Sequence, residues 1–130
     1  MTRLYEGSCH CGTVRFRATI DRTKVVACNC SICRKKGARY LRLAPEEFEL
    51  LSGRSTMKLY QFGTNIARHL FCPNCGIHAF GQPRSAPDTI NVNIQCLEST
   101  PDDAGFDFVY FDGQHWEEGV AELNRAMASK

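Results

Sequence analysis

Apolar and polar positions alternate over short stretches of this chain, with the period of two that marks half-buried strands. Residues 13–19 set Val14, Phe16 and Ala18 against Thr13, Arg15 and Arg17. Residues 89–96 alternate most cleanly. Ile90, Val92, Ile94 and Cys96 share one face, and Asn91, Asn93 and Gln95 share the other. Shorter strands are expected at 24–27, 40–43, 77–80 and 106–111, and a hairpin of 56–62 with 66–71 around Gly63-Thr64-Asn65. The strand at 24–27 is expected to fold back on 13–19 through the polar turn 21–23. Helical signals are sparse. Pro45 followed by Glu46 and Glu47 suits a single helical turn at 44–48. Val120, Leu123 and Met127 recur at helical spacing within 117–127, which predicts a short terminal helix. Prolines at 83 and 87 brace a loop at 81–88. The pattern as a whole predicts a mainly β chain of about eight short strands. Residues 1–130 are read as a single domain.

Composition narrows this little. A chain of 130 residues can bury one core, and 43% apolar with 23% charged residues is ordinary for a globular protein. A net charge of +2 does not by itself imply nucleic acid or membrane as a partner. No apolar stretch is long enough to span a bilayer, and residues 1–7 hold no run of the signal-peptide kind. The default expectation is a cytoplasmic protein, whose cysteines would be thiols or metal ligands rather than disulfides.

The cysteines change the picture. Seven of the eight fall into three tight groups: Cys9-His10-Cys11, Cys28-Asn29-Cys30-Ser31-Ile32-Cys33 and Cys72-Pro73-Asn74-Cys75-Gly76. Cysteines one or two residues apart can turn both sulfurs toward one metal ion. Zinc takes four such ligands in a closed structural site and three in a site that keeps an open position. Seven therefore divide as four and three. The Cys72–Cys75 turn is the strongest local signal, a zinc knuckle with glycine at its exit. Cys9, Cys11, Cys72 and Cys75 would form the closed site, and Cys28, Cys30 and Cys33 would hold a second zinc. Cys96, on the apolar face of its strand, is read as a small core residue; its alternative is a fourth ligand for the triplet. Residues 34–39, Arg-Lys-Lys-Gly-Ala-Arg, are read as a solvated basic loop that offsets thiolate charge. Nucleic acid is disfavoured there, because no aromatic residues interleave with the cations.

Gly7-Ser8-Cys9-His10-Cys11-Gly12, the 28–35 stretch and Phe71-Cys72-Pro73-Asn74-Cys75-Gly76 resemble the glutathione-dependent formaldehyde-activating enzyme family. The resemblance implies the Mss4-like fold, made of several coiled β-sheets. It implies a structural zinc on Cys9, Cys11, Cys72 and Cys75, and a second zinc on Cys28, Cys30 and Cys33 with an exchangeable fourth ligand. It also implies a carbon–sulfur lyase reaction on the adduct of glutathione with formaldehyde. Pro83-Arg84-Ser85, Cys96-Leu97-Glu98 and Asp112-Gly113-Gln114-His115-Trp116 look closer to the subgroup that includes centromere protein V.

Two functions are thus in competition. One is a zinc-dependent enzyme (two zinc ions per chain) acting on a small thiol adduct of the glutathione type. There Cys28, Cys30 and Cys33 hold the reactive metal and Arg84 meets an anionic substrate group. The other is a zinc-stapled binding module without catalysis, like centromere protein V. No histidine stands in a motif that names a general base.

Overall fold

The computed structural model describes residues 2–21, 23–98 and 106–128. Alternation in the first half becomes β1 (Arg3–Ser8) and β2 (Arg15–Ile20), which pair antiparallel. Phe16, Ala18 and Ile20 of β2 are buried, while Arg15 and Thr19 are exposed. β5 (Phe48–Ser52) completes this three-stranded sheet on the other side of β2. The remaining strands are β3 (Lys24–Cys28), β4 (Arg39–Leu43), β6 (Lys58–Tyr60), β7 (Arg68–Phe71), β8 (Phe80–Gln82), β9 (Ile90–Asn93) and β10 (Asp107–Phe111). They form a seven-stranded sheet in the order β10-β3-β4-β9-β8-β7-β6. β10 runs parallel to β3, and the other neighbours in this sheet are antiparallel.

The mainly β fold and the C-terminal helix α2 (Trp116–Ala128) are as the alternation implied. The expected hairpin of β2 with β3 does not form, and Arg22 of its turn lies outside the described residues. β2 pairs with β1 and β5; β3 pairs with β10 and β4. The reason lies in burial. Both Val25 and Val26 are buried, so β3 needs cover on two faces and sits inside the larger sheet. β2 has a wet face and belongs to the outer sheet. The strand expected at 77–80 begins only at Phe80, because the Ile77 carbonyl accepts the Cys72 amide at 3.0 Å in the knuckle. β9 ends at Asn93, and Ile94–Cys96 turns as a 3-10 helix, so Cys96 leaves the strand face. β1 was not anticipated.

The basic run is not a solvated loop. Ser31–Lys36 forms a short helix, α1, that ends at Gly37 with the Gly37 amide donating to the Cys33 carbonyl. Arg34, Lys35 and Lys36 occupy its last turn, where the carbonyl end favours cations. Arg34 and Lys35 stay exposed; Lys36 turns inward.

The main core lies between the sheets. Val25, Leu41, Val92 and Phe80 stand in register across β3, β4, β9 and β8, and Phe16, Ala18 and Ile20 of β2 close over them. The opposite face of the large sheet carries a different row. Arg42, Asn91, Gly81, His69 and Tyr60 stand opposite one another across β4, β9, β8, β7 and β6. Beside it Val26, Tyr40 and Asn93 stand opposite one another across β3, β4 and β9. α2 packs Leu123, Val120 and Trp116 against Val26 and Phe111 at one end of that face.

Candidate metal centres and the cavity between them

The loop after β1 and the loop after β7 each deliver two cysteines to one point. Cys9, Cys11, Cys72 and Cys75 bring four sulfurs within 4.8 Å of one another. Cys11 Sγ lies 3.7 Å from Cys9 Sγ and 3.6 Å from Cys72 Sγ. Sulfurs held about 2.3 Å from a tetrahedral ion would stand about 3.8 Å apart, so the donor set fits a tetrathiolate metal. The backbone favours thiolates as well. The Val14 amide donates to Cys9 Sγ at 3.3 Å, and the amides of Cys75 and Asn74 face the Cys72 sulfur. The Thr13 hydroxyl and amide bring the Cys11 thiol down to about 6.

Cys28, at the end of β3, meets Cys30 and Cys33 at the start of α1. These three sulfurs also lie within 4.8 Å of one another. With no cation between them they conflict: Cys28 is pushed up by Cys30 and then by Cys33, while Cys30 is held down by Cys28 and then by Cys33. A bound dication would remove that conflict, so this group also fits a metal. Cys96 is not beside it. Cys9 and Cys75 are the cysteines near enough to raise Cys96, and it packs against the main core.

The turn between β10 and α2 clasps the triplet. Asn29 donates to Asp112 Oδ1 at 2.9 Å and accepts the Gln114 amide at 3.1 Å, and Gln114 Nε2 reaches the Asn29 carbonyl at 3.0 Å. Gly113 lies so close that a Cβ on it would stand 2.9 Å from Cys28 Sγ and 2.8 Å from Cys30 Cβ. The 112–116 stretch noted in the sequence therefore acts as a brace for the three-sulfur group.

The triplet lines a cavity of about 350 Å³, within the range of small-ligand sites. Its described lining includes Arg42, Arg68 and Arg84, and no aspartate or glutamate. Arg84 lies over the Trp116 ring at 3.9 Å, and Arg42 donates to Ser85 Oγ at 2.8 Å. Among the described residues neither Arg68 nor Arg84 makes an ion pair. The loop 81–88 thus brings Arg84 to the cavity, where the sequence reading expected an anion contact.

Tyr40, His69, His78 and Asn91 complete the wall nearest the sheet. His78 Nδ1 donates to the Leu70 carbonyl at 2.7 Å, which leaves Nε2 as its acceptor. Burial, then Lys36, pushes His78 down to about 3 and His69 down to about 4. Lys36 Nζ lies 3.1 Å from His69 Nδ1 and 5.6 Å from the Tyr40 ring centre. Tyr40, Arg42, His69 and Asn91 were not singled out from the sequence, although the polar face of Asn91 and Asn93 was visible there. Asn91 turns out to line this cavity, and Asn93 a second one that shares His69 and His78 with it. His10 and His115 are exposed.

Fold and clusters together define a class: a mainly β protein with two cysteine clusters fit for metal ions, one of them open to a small-molecule cavity. The model of the family described as glutathione-dependent formaldehyde-activating enzyme matches residues 4–109, and the chain belongs to that family. A protein of Schizosaccharomyces pombe, named an uncharacterized lyase, is 27% identical over 111 residues, which are 85% of this chain and 76% of that protein. A crystal structure of a Rhodobacter sphaeroides protein is similar with a TM-score of 0.72 and 35% identity, covering 81% of this chain and 98% of that one. Among the described residues no helix is long and apolar enough to cross a membrane.

Proposed function

We propose that the protein is a zinc-dependent carbon–sulfur lyase that joins or separates a small thiol of the glutathione type and a small aldehyde. One observation carries the reading: the three-sulfur group opens on a cavity of about 350 Å³ whose described lining has arginines and no carboxylates. Membership of the family and the lyase name of the yeast relative support it.

Cys28, Cys30 and Cys33 would hold the reactive zinc, and Cys9, Cys11, Cys72 and Cys75 a structural one. A zinc held by three thiolates supplies a place where an incoming thiol is ionised yet stays nucleophilic. The chain's own residues do the rest. Arg84, flattened on Trp116 and without an acidic partner among the described residues, takes a substrate carboxylate, and Arg68 is available to a second one. Phe62 and Trp116 supply apolar parts of the cavity wall.

The experiment is exchange NMR on glutathione mixed with formaldehyde, with and without zinc-loaded protein. Faster interconversion of free and adduct forms, abolished in Cys30→Ser, is the expected result. The alternative, a non-catalytic module like centromere protein V, has the exposed Arg34, Lys35 and Arg39 in its favour. It would show no acceleration, together with salt-sensitive binding to a polyanion.

A further inference from the structure

Deepening the lyase reading, on which this rests, we propose that Tyr40 is a catalytic residue: its hydroxyl hydrogen-bonds the oxygen of the thiol–aldehyde adduct while the carbon–sulfur bond forms or breaks. Tyr40 is 3% exposed, and among the described residues its hydroxyl makes no well-formed hydrogen bond, with the Cys33 side chain beside it. A buried hydroxyl left unpaired is costly, and such groups in native proteins call for an explanation. Here the site supplies one, because Tyr40 lines the cavity beside Cys33. Among the described residues His69 Nε2 and Asn91 Oδ1 are buried without partners as well, and both residues line the same cavity. These three atoms belong to residues of one cavity wall, where a polar ligand would sit.

The ring is held on several sides. His78 meets it edge-on at 5.8 Å, Lys36 Nζ lies 5.6 Å from its centre, and Val26 and Asn93 flank it on the neighbouring strands. The hydroxyl therefore keeps its place relative to the sulfurs. A phenol ordinarily titrates at about 10, so the hydroxyl is a donor at neutral pH. The two groups that touch the ring are otherwise engaged. His78 spends its N–H on the Leu70 carbonyl, and Lys36 is turned to His69.

In the forming direction the thiol gives its proton to solvent, and a sulfur lone pair bonds to the aldehyde carbon. The carbon–oxygen π pair moves onto oxygen, where the Tyr40 O–H meets it, and that oxygen then takes a proton from solvent. Cleavage is the exact reverse, with the carbon–sulfur pair returning to sulfur. Tyr40 keeps its own proton throughout, so the reaction needs no oxidant or reductant.

Tyr40→Phe removes the hydroxyl and little else. Expected are unchanged metal content, an unchanged thermal midpoint or a higher one, and the same change in the spectrum of the cobalt-substituted protein when glutathione is added. The turnover number in the exchange experiment should fall roughly 100-fold, the cost of one lost oxyanion donor, with KM shifted by only a few-fold. Turnover within about threefold of wild type, with metal and spectrum intact, overturns the role of Tyr40 and leaves the lyase reading standing. So does a variant that loses metal or melts several degrees lower, since the hydroxyl would then be structural. A wild-type protein that takes up metal but neither responds to thiol nor turns over removes both.

Discussion

Gly113 sets how closely the turn after β10 approaches the three-sulfur group. A methyl there would press on Cys28 Sγ and Cys30 Cβ at under 3 Å. Gly113→Ala should therefore move a sulfur without touching the core. Metal analysis after dialysis should show the triplet's ion bound about 10- to 100-fold more weakly, with the circular dichroism spectrum unchanged. Cys96 makes the opposite case. It stands near Cys9 and Cys75, apart from the triplet, so Cys96→Ala should keep both metals and cost about 1 kcal/mol in urea unfolding. His78 links the cavity wall to pH. Its folded-state value, about 3, lies below the ordinary 6.5, so folding favours the neutral ring. That contribution is complete above 6.5 and is lost as pH falls toward 3. Urea midpoints measured between about pH 7.5 and about pH 5.5 should fall more steeply in wild type than in His78→Gln, while acid release of metal affects both alike.

At the scale of elements, each cluster joins parts that no single strand could hold. The four-sulfur group ties the β1–β2 loop to the β7–β8 loop, and so the small sheet to the large one. The three-sulfur group ties only the end of β3 to α1, a few residues apart. Loss of one ligand should accordingly have unequal effects. Cys72→Ser should unfold the protein or lower its thermal midpoint severely, because the closure of a long loop goes with the metal. Cys30→Ser should leave the fold near wild type and lower only the second site's occupancy. Thermal melts of the two variants side by side check this; equal losses would refute the division of roles. β9 shows what an element can hide. Its apolar face is core, as alternation required, but on its polar face Asn91 lines the cavity of the three-sulfur group. Alternation shows that a face is polar. It does not show whether bulk water or a ligand wets it.

For the whole molecule, about two zinc ions per chain are expected on protein expressed with zinc, one in each group. Chelation should remove the triplet's ion first and the four-sulfur ion only as the protein unfolds, giving two steps in a metal-release titration followed by circular dichroism.

The mainly β character, the terminal helix and the three groups of cysteines were legible in the sequence, because each is a local matter of spacing: two for strands, 3.6 for α2, one or two residues between sulfurs. The knuckle at Cys72–Cys75 is local in the same way. Partnership is not local. That β3 pairs with the distant β10, and not with β2, depends on which strands need cover on both faces, and only packing settles that. Residues 34–36, read as loop, close a short helix whose Lys36 turns in to meet Tyr40 of β4 and His69 of β7, contacts that only the tertiary structure shows. Arg42, Asn91 and His69, far apart in sequence, become one row only when four strands align. The sequence determined which atoms could hold metal; the tertiary structure decided which of those atoms face a cavity, because facing is a relation among strands that the chain order does not encode.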